Sequence, residues 1–414
     1  MKISFKFMKK LAAFVFIAVF LTLILAGCGA DKVLYVYNWG EYISDGSEGT
    51  LNVEKAFEKY YYELTGEKLD IRYTTYPSNE DLYAKMSGGG AEYDVIFPSD
   101  YMVERMIAEG LLEKLNLEAV CEKYGVECLY SYIDDKCKGL YYDPTNEYSV
   151  PYTYGRVGII YNKEVVDKAD IGGWDLMWNE KYAGKILQFN NSRDAFATAH
   201  YKLGYSVNTT NKAEWQEAYD LLLAQKSIIQ GYVMDEVFNK MESGEAAIAP
   251  YYAGDYFIMR RANENLGFYY PENTNIFVDA MCIPKGSRNP EIAALFINFM
   301  LSEEIAIENA KYIFYASPNS LVYNNAEYRE FMGEEAMEVL YPEDLDFSGE
   351  LAKNGFRNLD PETLALISSL WEDLKITGGI GTGIYIVEAV VVLAIIAGIA
   401  TMTIIRKKRR AMYE

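Results

Sequence analysis

The chain has 414 residues, a length that suits two lobes of ordinary domain size better than one small module. It carries 60 acidic and 39 basic side chains, a net charge of −21, which argues against nucleic acid as a partner because phosphates need a basic face. A single His argues against most zinc hydrolases and Ser-His-Asp enzymes. In contrast, 37 residues are Tyr, an amphipathic side chain that is common in sites for small polar ligands.

The N-terminal segment has the pattern of an export signal. Basic residues up to Lys10 precede an apolar run from Leu11 to Ala26, which is typical of a secretory signal. The run ends at Cys28 in the sequence LAGC, which looks like a bacterial lipobox. We therefore assign residues 1–28 to a lipoprotein signal and predict lipid attachment at Cys28. An uncleaved anchor helix is the alternative.

The next part of the chain predicts alternating strands and helices. Short runs rich in β-branched and aromatic residues indicate strands at Val33–Trp39, Leu69–Tyr76 and Tyr93–Pro98. Helical periodicity or a capping residue follows each run, near Leu51, Ser78 and Ser99. This order is typical of a mostly parallel sheet covered by helices.

A second unit of the same kind begins near Gly155–Tyr161. Further patterns predict helices near 195–203 and 213–225, a strand at Ile276–Ile283, and helices at Pro290–Met300 and Ser302–Ala310. The predicted lobe boundaries are 33–152 with 279–326 for lobe one and 153–278 with 327–375 for lobe two.

The C-terminal end carries a second apolar run, 384–405, which is long enough to cross a bilayer and is followed by basic residues from Arg406 to Arg410. We expect a linker at 376–383, a transmembrane helix at 384–405 and a cytoplasmic tail at 406–414. Together with the lipid anchor, this predicts a protein of the cell membrane whose folded part faces outside. A buried core helix is the alternative interpretation.

Apart from Cys28, four cysteines are present: Cys121, Cys128, Cys137 and Cys282. None has the paired short spacing of a zinc site, and we predict no metal. Outside the cell, a loop disulfide is compatible with the spacing, either Cys121–Cys128 or Cys128–Cys137, and free buried thiols are equally compatible.

Rings and carboxylates follow the predicted strands. Ligands of open α/β sheets bind outside the carboxyl ends of the strands. Several unusual residues stand at such ends or near the apparent lobe crossings: Trp39, Tyr42, Ser99, Asp100, Tyr101, Tyr152, Tyr154 and Asp279. A cleft of rings and carboxylates suits an elongated organic cation, because ring faces attract ammonium groups and a buried ammonium needs a carboxylate partner. Ring packing, and helix capping by Ser99 and Asp100, are the alternative roles.

Six motifs carry a resemblance to a known family. In chain order they are NWGEY (38–42), TTYPSNEDLYAKM (74–86), YDVIFPSDYMVERM (93–106), YSVPYTYG (148–155), KLGYSVNTT (202–210) and FYASPNS (314–320). The chain resembles the spermidine/putrescine-binding proteins of bacterial polyamine ABC importers. The resemblance implies a two-lobed periplasmic-binding-protein fold of type II, with a polyamine clamped between the lobes of a monomeric domain. It also implies delivery to ABC permease subunits in the membrane, with no cofactor and no catalysis.

The resemblance also implies particular site residues. The family's aromatic box falls on Trp39, Tyr42, Tyr101 and Tyr315, with Ser99 beside it, and its amine-pairing aspartate falls on Asp279. Asn191 and Asp194 stand where the family often has two carboxylates, and Tyr252 and Phe277 stand in place of two tryptophans. A glutamine expected near the C-terminus has no clear match, Arg357 and Asn358 being nearest. With two firm carboxylates, Asp194 and Asp279, putrescine is slightly favoured over spermidine.

Other functions compete with this interpretation. A protein of the same fold could bind thiamine, iron or a sugar, and a membrane-tethered polyamine sensor would carry the same binding domain. An extracellular enzyme is disfavoured, because the chain has one His, no G-x-S-x-G motif and no metal-ligand spacing.

Overall fold

The computed structural model describes residues 32–89, 92–343, 345 and 347–377. In that part of the chain ten strands form one mixed sheet, and helices pack against it. The strands are β1 (Lys32–Asn38), β2 (Leu69–Thr75), β3 (Val95–Ile96), β4 (Leu112–Glu113), β5 (Ser149–Asn162), β6 (Ile186–Phe189), β7 (Ile229–Val233), β8 (Ile248–Tyr252), β9 (Leu266–Tyr269) and β10 (Ile276–Pro284). The sheet order is β2-β1-β3-β10-β5-β8-β6-β7, with β4 paired to β10 and β9 paired to β5.

The helices are α1 (Val53–Thr65), α2 (Asn79–Ser87), α3 (Asp100–Ala108), α4 (Leu117–Tyr124), α5 (Ser192–Leu203), α6 (Lys212–Gln225), α7 (Glu236–Glu242), α8 (Ala253–Ala262), α9 (Pro290–Met300), α10 (Glu303–Ile313), α11 (Ser320–Tyr323), α12 (Ala326–Leu340), α13 (Phe347–Asn354) and α14 (Pro361–Ile376). Short 3-10 turns lie at Ser47–Gly49, Leu129–Tyr132, Asp135–Cys137, Lys168–Asp170, Trp174–Trp178 and Glu180–Tyr182.

The first half of the chain has the predicted alternation of strands and helices. β1 lies at the centre and pairs in parallel with β2 and β3. Helix α1 buries Val53, Phe57 and Tyr61, which are spaced four residues apart and therefore share one helix face. The hydroxyl of Ser78 caps α2 by accepting from the Asp81 amide at 3.1 Å, as the capping motif predicts. Because β1 and β3 pair in parallel at Val36–Val95 and Tyr37–Ile96, their carboxyl ends lie beside each other.

Two long antiparallel strands connect the halves. The first part of β5 pairs with β10, from Ser149 to Arg156, and its second part pairs with β8 and β9, from Val157 onward. The register of β5 and β10 shifts between Asp279 and Ala280. Such a bulge bends a strand and re-aims its side chains, and it is common beside binding sites. Asp279 therefore lies where the two halves meet.

The C-terminal helix α14 belongs with the second half. It packs against α6, and the two share a small apolar core with α5 that contains Phe196, Trp215 and Ile367. The buried imidazole ring of His200 packs against this core, with its centroid 4.3 Å from that of the Trp215 ring. The predicted lobe boundaries stay a prediction. Strand β5 changes partners between Arg156 and Val157, close to the predicted boundary between residues 152 and 153.

The two-lobed α/β fold is confirmed, but the fold prediction that added a C-terminal transmembrane helix is corrected. Among the residues that the structure describes, no helix combines the length and the apolar character that crossing a membrane requires. The apolar run at 384–405 lies outside the described residues, as do the tail at 406–414, the signal at 1–28 with Cys28, and the linker from 378 to 383. The last described helix ends at Ile376, inside the predicted linker.

Candidate ligand-binding site

All the predicted ligand-binding residues line one pocket. It opens where the loop after β1, the starts of α3 and α5, the end of β8 and the bulge of β10 come together. The predicted residues found there are Trp39, Tyr42, Ser99, Tyr101, Asn191, Asp194, Tyr252, Phe277, Asp279 and Tyr315. Their contact with a ligand stays a prediction, but their convergence is what a single binding site requires.

Asp279 lines this pocket and has one free acceptor atom. Tyr42 donates its hydroxyl hydrogen to Oδ2 of Asp279 at 2.7 Å, and Tyr42 also contacts Thr153. No described group donates to Oδ1 of Asp279, although that atom is buried. A buried acceptor without a partner costs about 1–3 kcal/mol, so the arrangement favours a ligand that donates a hydrogen bond.

Burial raises the pKa of Asp279 to about 6, because a carboxylate loses its hydration there. The nearby hydroxyl groups of Ser99 and Tyr42 oppose this rise in pKa, and the charge of Asp194 adds to it. An isolated bridge between Ser99 and Asp279, and the bond from the Ala280 amide to the Pro98 carbonyl at 3.0 Å, hold the start of α3 against the bulge. A cationic ligand would supply the missing counter-charge.

Asp194 lies in the first turn of α5 and is held by two neighbours. Asn191 caps the helix, because its Oδ1 accepts from the Asp194 amide at 2.8 Å while its Nδ2 donates to Oδ2 of Asp194 at 2.8 Å. Tyr252 donates to the same Oδ2 at 2.7 Å. Burial raises the pKa of Asp194, and these two hydrogen bonds oppose the rise. Asn191 thus positions Asp194, and its Oδ1 is already engaged.

The aromatic side chains of the pocket are fixed by contacts with each other and with polar partners. The ring of Tyr42 meets that of Tyr315 edge to face, with centroids 4.9 Å apart, and Tyr252 meets Phe277 in the same way at 5.4 Å. The indole Nε1 of Trp39 donates to the Phe97 carbonyl at 2.8 Å. Edge-to-face rings of this kind form a rigid wall that can cover methylene groups.

The pocket contains more carboxylates than the sequence interpretation assigned to it. Besides Asp194 and Asp279, the lining includes Glu41, Glu80, Asp100, Asp235 and Asp255. Among the described residues that line it, none is Lys, Arg or His. Most of the added carboxylates stand at helix starts, where acidic residues are also favoured by the helix dipole. Four of them, Glu41, Asp100, Asp235 and Asp255, also stand two to four residues after the ends of β1, β3, β7 and β8, a signal that the sequence interpretation used only for Asp100.

Asp255 is one of these added carboxylates and has a strongly raised pKa. Its side chain is buried, and Tyr315 donates to its Oδ2 at 2.8 Å. Burial raises the pKa of Asp255 to about 8, and the nearby charges of Asp235 and Glu41 add to the rise. We call these three carboxylates, Glu41, Asp235 and Asp255, the acidic end.

A buried arginine lies behind the opposite wall. The Arg193 guanidinium stands over the rings of Tyr101 and Phe356, with distances of 5.2 and 4.6 Å to their centroids. Arg357 forms an ion pair with Glu104 at 2.7 Å, and the Asn358 amide donates to the same carboxylate at 2.8 Å. Neither Arg357 nor Asn358 lines the pocket, whereas Phe356 does. The family's C-terminal glutamine therefore has no direct counterpart among these residues.

Comparison with known proteins agrees with this geometry. The profile of a family described as bacterial extracellular solute-binding protein matches residues 55–331. The spermidine/putrescine-binding periplasmic protein of Escherichia coli (strain K12) is 31% identical over 373 residues, which cover 88% of this chain and 97% of that protein. The putrescine-binding periplasmic protein SpuD of Pseudomonas aeruginosa (strain UCBPP-PA14) is 30% identical over 301 residues, covering 69% of this chain and 77% of that protein.

A solved structure shows the same arrangement of the backbone. The putative spermidine/putrescine ABC transporter protein from Listeria monocytogenes superposes with a TM-score of 0.70 at 31% identity, covering 84% of this chain and 99% of that one. These matches confirm the resemblance carried by the six motifs. The chain belongs to the bacterial extracellular solute-binding proteins and groups there with the spermidine/putrescine-binding proteins.

Proposed function

We propose that this protein captures a polyamine outside the cell and delivers it to an ABC importer. The observation that carries the proposal is the character of the pocket, which combines buried carboxylates with aromatic walls and has no basic side chain among its described lining residues. An alkyl chain fits between the rings, and each ammonium needs a carboxylate to offset its lost hydration. The names of the relatives in the same family support this ligand class.

The distribution of charge bears on which polyamine binds. The ligand-accessible carboxylates lie at three places in the pocket: Glu80 with Asp194, Asp279, whose pKa the charge of Asp194 also raises, and the acidic end. A triamine can place one ammonium near each group, whereas a diamine leaves one group without a cation. We therefore expect spermidine to bind at least as tightly as putrescine. This differs from the slight preference for putrescine that the two carboxylates Asp194 and Asp279 implied.

Binding would favour a closed arrangement of the two halves. Trp39, Tyr42 and Tyr101 come from the first half of the chain, and Asp194 and Tyr252 come from the second. A ligand that touches both sets binds the closed form more tightly and shifts the population toward it. The closed form is then the state that the permease subunits of the importer recognise.

The protein acts as a carrier of the polyamine. Its function is capture and release, and no covalent step on the polyamine is involved. The domain works as a monomer outside the cell, and lipid attachment at Cys28 would keep it at the membrane. A protein of this fold that binds thiamine, iron or a sugar is the competing function.

A thermal-unfolding screen tests the ligand class. The purified chain would be heated with putrescine, spermidine, spermine, cadaverine, thiamine, ferric citrate, maltose or an amino acid mixture. A ligand at one hundred times its Kd stabilises the folded state by about 2.7 kcal/mol, a readily measured shift. Stabilisation by polyamines alone supports the proposal, and stabilisation by another compound with none from any polyamine contradicts it.

A further inference from the structure

The four cysteines of the described region are all unpaired, and two of them, Cys121 and Cys128, flank the chain reversal at the end of α4. Cys121 is buried near the end of α4, and Cys128 is half-buried in the segment that follows the helix. Neither residue lines the ligand pocket. This pair is therefore independent of the polyamine proposal, and it needs its own explanation.

The end of α4 brings the two residues together. Gly125 adopts a left-handed conformation with φ 67° and donates to the Glu122 carbonyl at 3.1 Å, and the Val126 amide donates to the Cys121 carbonyl at 3.0 Å. Together these bonds form a Schellman motif, which reverses the chain at a helix end. The reversed chain runs back past Cys121, and Cys128 follows two residues after Val126.

A buried side chain then fixes the position of Cys128. Asn298 on α9 accepts from the Leu129 amide at 2.8 Å and donates to the Glu127 carbonyl at 2.9 Å. Both neighbours of Cys128 are thus tied to one rigid helix. Burial raises the pKa of Cys121 to about 12, and the adjacent thiol of Cys128 adds to the rise, which marks the two sulfur atoms as close neighbours.

We propose that Cys121 and Cys128 form a thiol pair that closes to a disulfide once the protein reaches the oxidising side of the membrane. The family to which the chain belongs is extracellular, where disulfides form and persist. The oxidant is a small-molecule or protein disulfide of that compartment. This choice resolves the two pairings that the spacing left open in favour of Cys121–Cys128.

The reaction is a thiol–disulfide exchange in two steps. The thiolate of Cys128, the more exposed of the two, attacks one sulfur of the oxidant and expels the other half as a thiolate, which takes up the proton that Cys128 has lost. The sulfur of Cys121 then attacks Sγ of Cys128 and expels the second half, which takes up the proton that Cys121 loses. Two protein thiols are oxidised to one disulfide, and one external disulfide is reduced to two thiols.

Trypsin offers a direct readout, because Lys123 separates the two cysteines and Lys136 separates Cys128 from Cys137. The full chain would be exported, its free thiols blocked by an alkylating agent at lysis, and the protein digested without reduction. We expect peptides 115–123 and 124–136 to remain joined, and to separate on reduction. The Cys128→Ser variant should lose this link, and the matched Cys282→Ser variant should keep it.

The alternative results are distinct in the same digest. A link between peptides 124–136 and 137–138 would overturn the proposal in favour of the Cys128–Cys137 pairing. Unlinked peptides, both after export and after incubation of the purified chain with oxidised glutathione, would also overturn it. As an independent measure, reduction should lower the unfolding temperature of the unmodified chain by about 2–6 °C and leave that of Cys128→Ser unchanged.

Discussion

Asp100 and Asp279 are two buried carboxylates of the same pocket that differ in their hydrogen bonds. Asp100 starts α3, and its two oxygens accept from the Tyr101 amide at 2.7 Å and the Val278 amide at 3.3 Å. Asp279 stands on the bulge of β10, and one of its buried oxygens has no donor among the described residues. Burial raises the pKa of both. An unsatisfied acceptor, rather than burial alone, therefore identifies the carboxylate that is available to a ligand.

Replacing Asp279 or Asp100 by Asn, one at a time, should have the strongest effects. Asp279→Asn should weaken polyamine binding by about 2–5 kcal/mol, because it breaks a buried charge pair with the ligand. Asp100→Asn should lower the unfolding temperature instead, since its amide group cannot accept from both backbone donors. Calorimetric titration and thermal unfolding of both variants measure the two effects. Unchanged binding by Asp279→Asn would remove Asp279 from the site.

The second effect is a dependence of affinity on pH. The pKa values of about 6 for Asp279 and about 8 for Asp255 lie above their ordinary 3.8, so the ligand-free folded protein binds protons more tightly than the unfolded chain. This stabilisation is present below pH 3.8 and is lost as the pH rises through 6 and then 8. A polyamine needs the ionised carboxylates, so its affinity should rise by about tenfold or more between about pH 5 and pH 8.

Titration calorimetry in buffers with different heats of protonation measures the protons released on binding. In the Asp255→Asn variant the affinity should no longer change with pH near 8, whereas its change near pH 6 should remain. Affinity and proton release that do not change with pH would contradict the assignment of these two groups to the ligand.

The third effect concerns the approach of the two halves. A Cβ atom on Gly40 would clash with the carboxylate of Asp235, which lines the same pocket from the second half of the chain. Gly40→Ala should therefore displace the carboxylate of Asp235 from the acidic end and weaken binding by about 1–3 kcal/mol. Gly231→Ala is the matched control, because its added methyl group meets no atom within 4 Å. Equal affinities of the two variants would show that Gly40 and Asp235 do not meet when the ligand is bound.

The smallest effect is expected from Tyr252→Phe. The variant keeps the ring but removes the hydroxyl that donates to Asp194 at 2.7 Å, so Asp194 is held by Asn191 alone. Binding should weaken by about 1 kcal/mol, the usual contribution of one hydrogen bond. Calorimetric titration at one pH measures the change. A loss as large as that of Asp279→Asn would mean that Tyr252 contacts the ligand through its hydroxyl.

The sequence predicted the pocket residues that follow strands better than those that begin helices. Trp39, Tyr42 and Ser99 could be placed together because the carboxyl ends of parallel strands meet at one edge of a sheet. Glu80 could not, since it lies in the first turn of α2, where an acidic residue is equally explained by the dipole of the helix. The division of roles between Asn191 and Asp194 needed coordinates, because either residue could have been the cap.

The bulge at Asp279 has a consequence for the order of events in capture. Its strand, β10, runs alongside β5 where the two halves join, so the anchor lies close to the pivot of any rotation between them. A group near a pivot moves least, whereas Asp194 and the acidic end travel with their lobes. Polyamine arriving at the open cleft would therefore meet Asp279 already in place. The remaining carboxylates would then engage as the cleft shuts, which makes the association rate depend on the anchor and the residence time depend on the lobes.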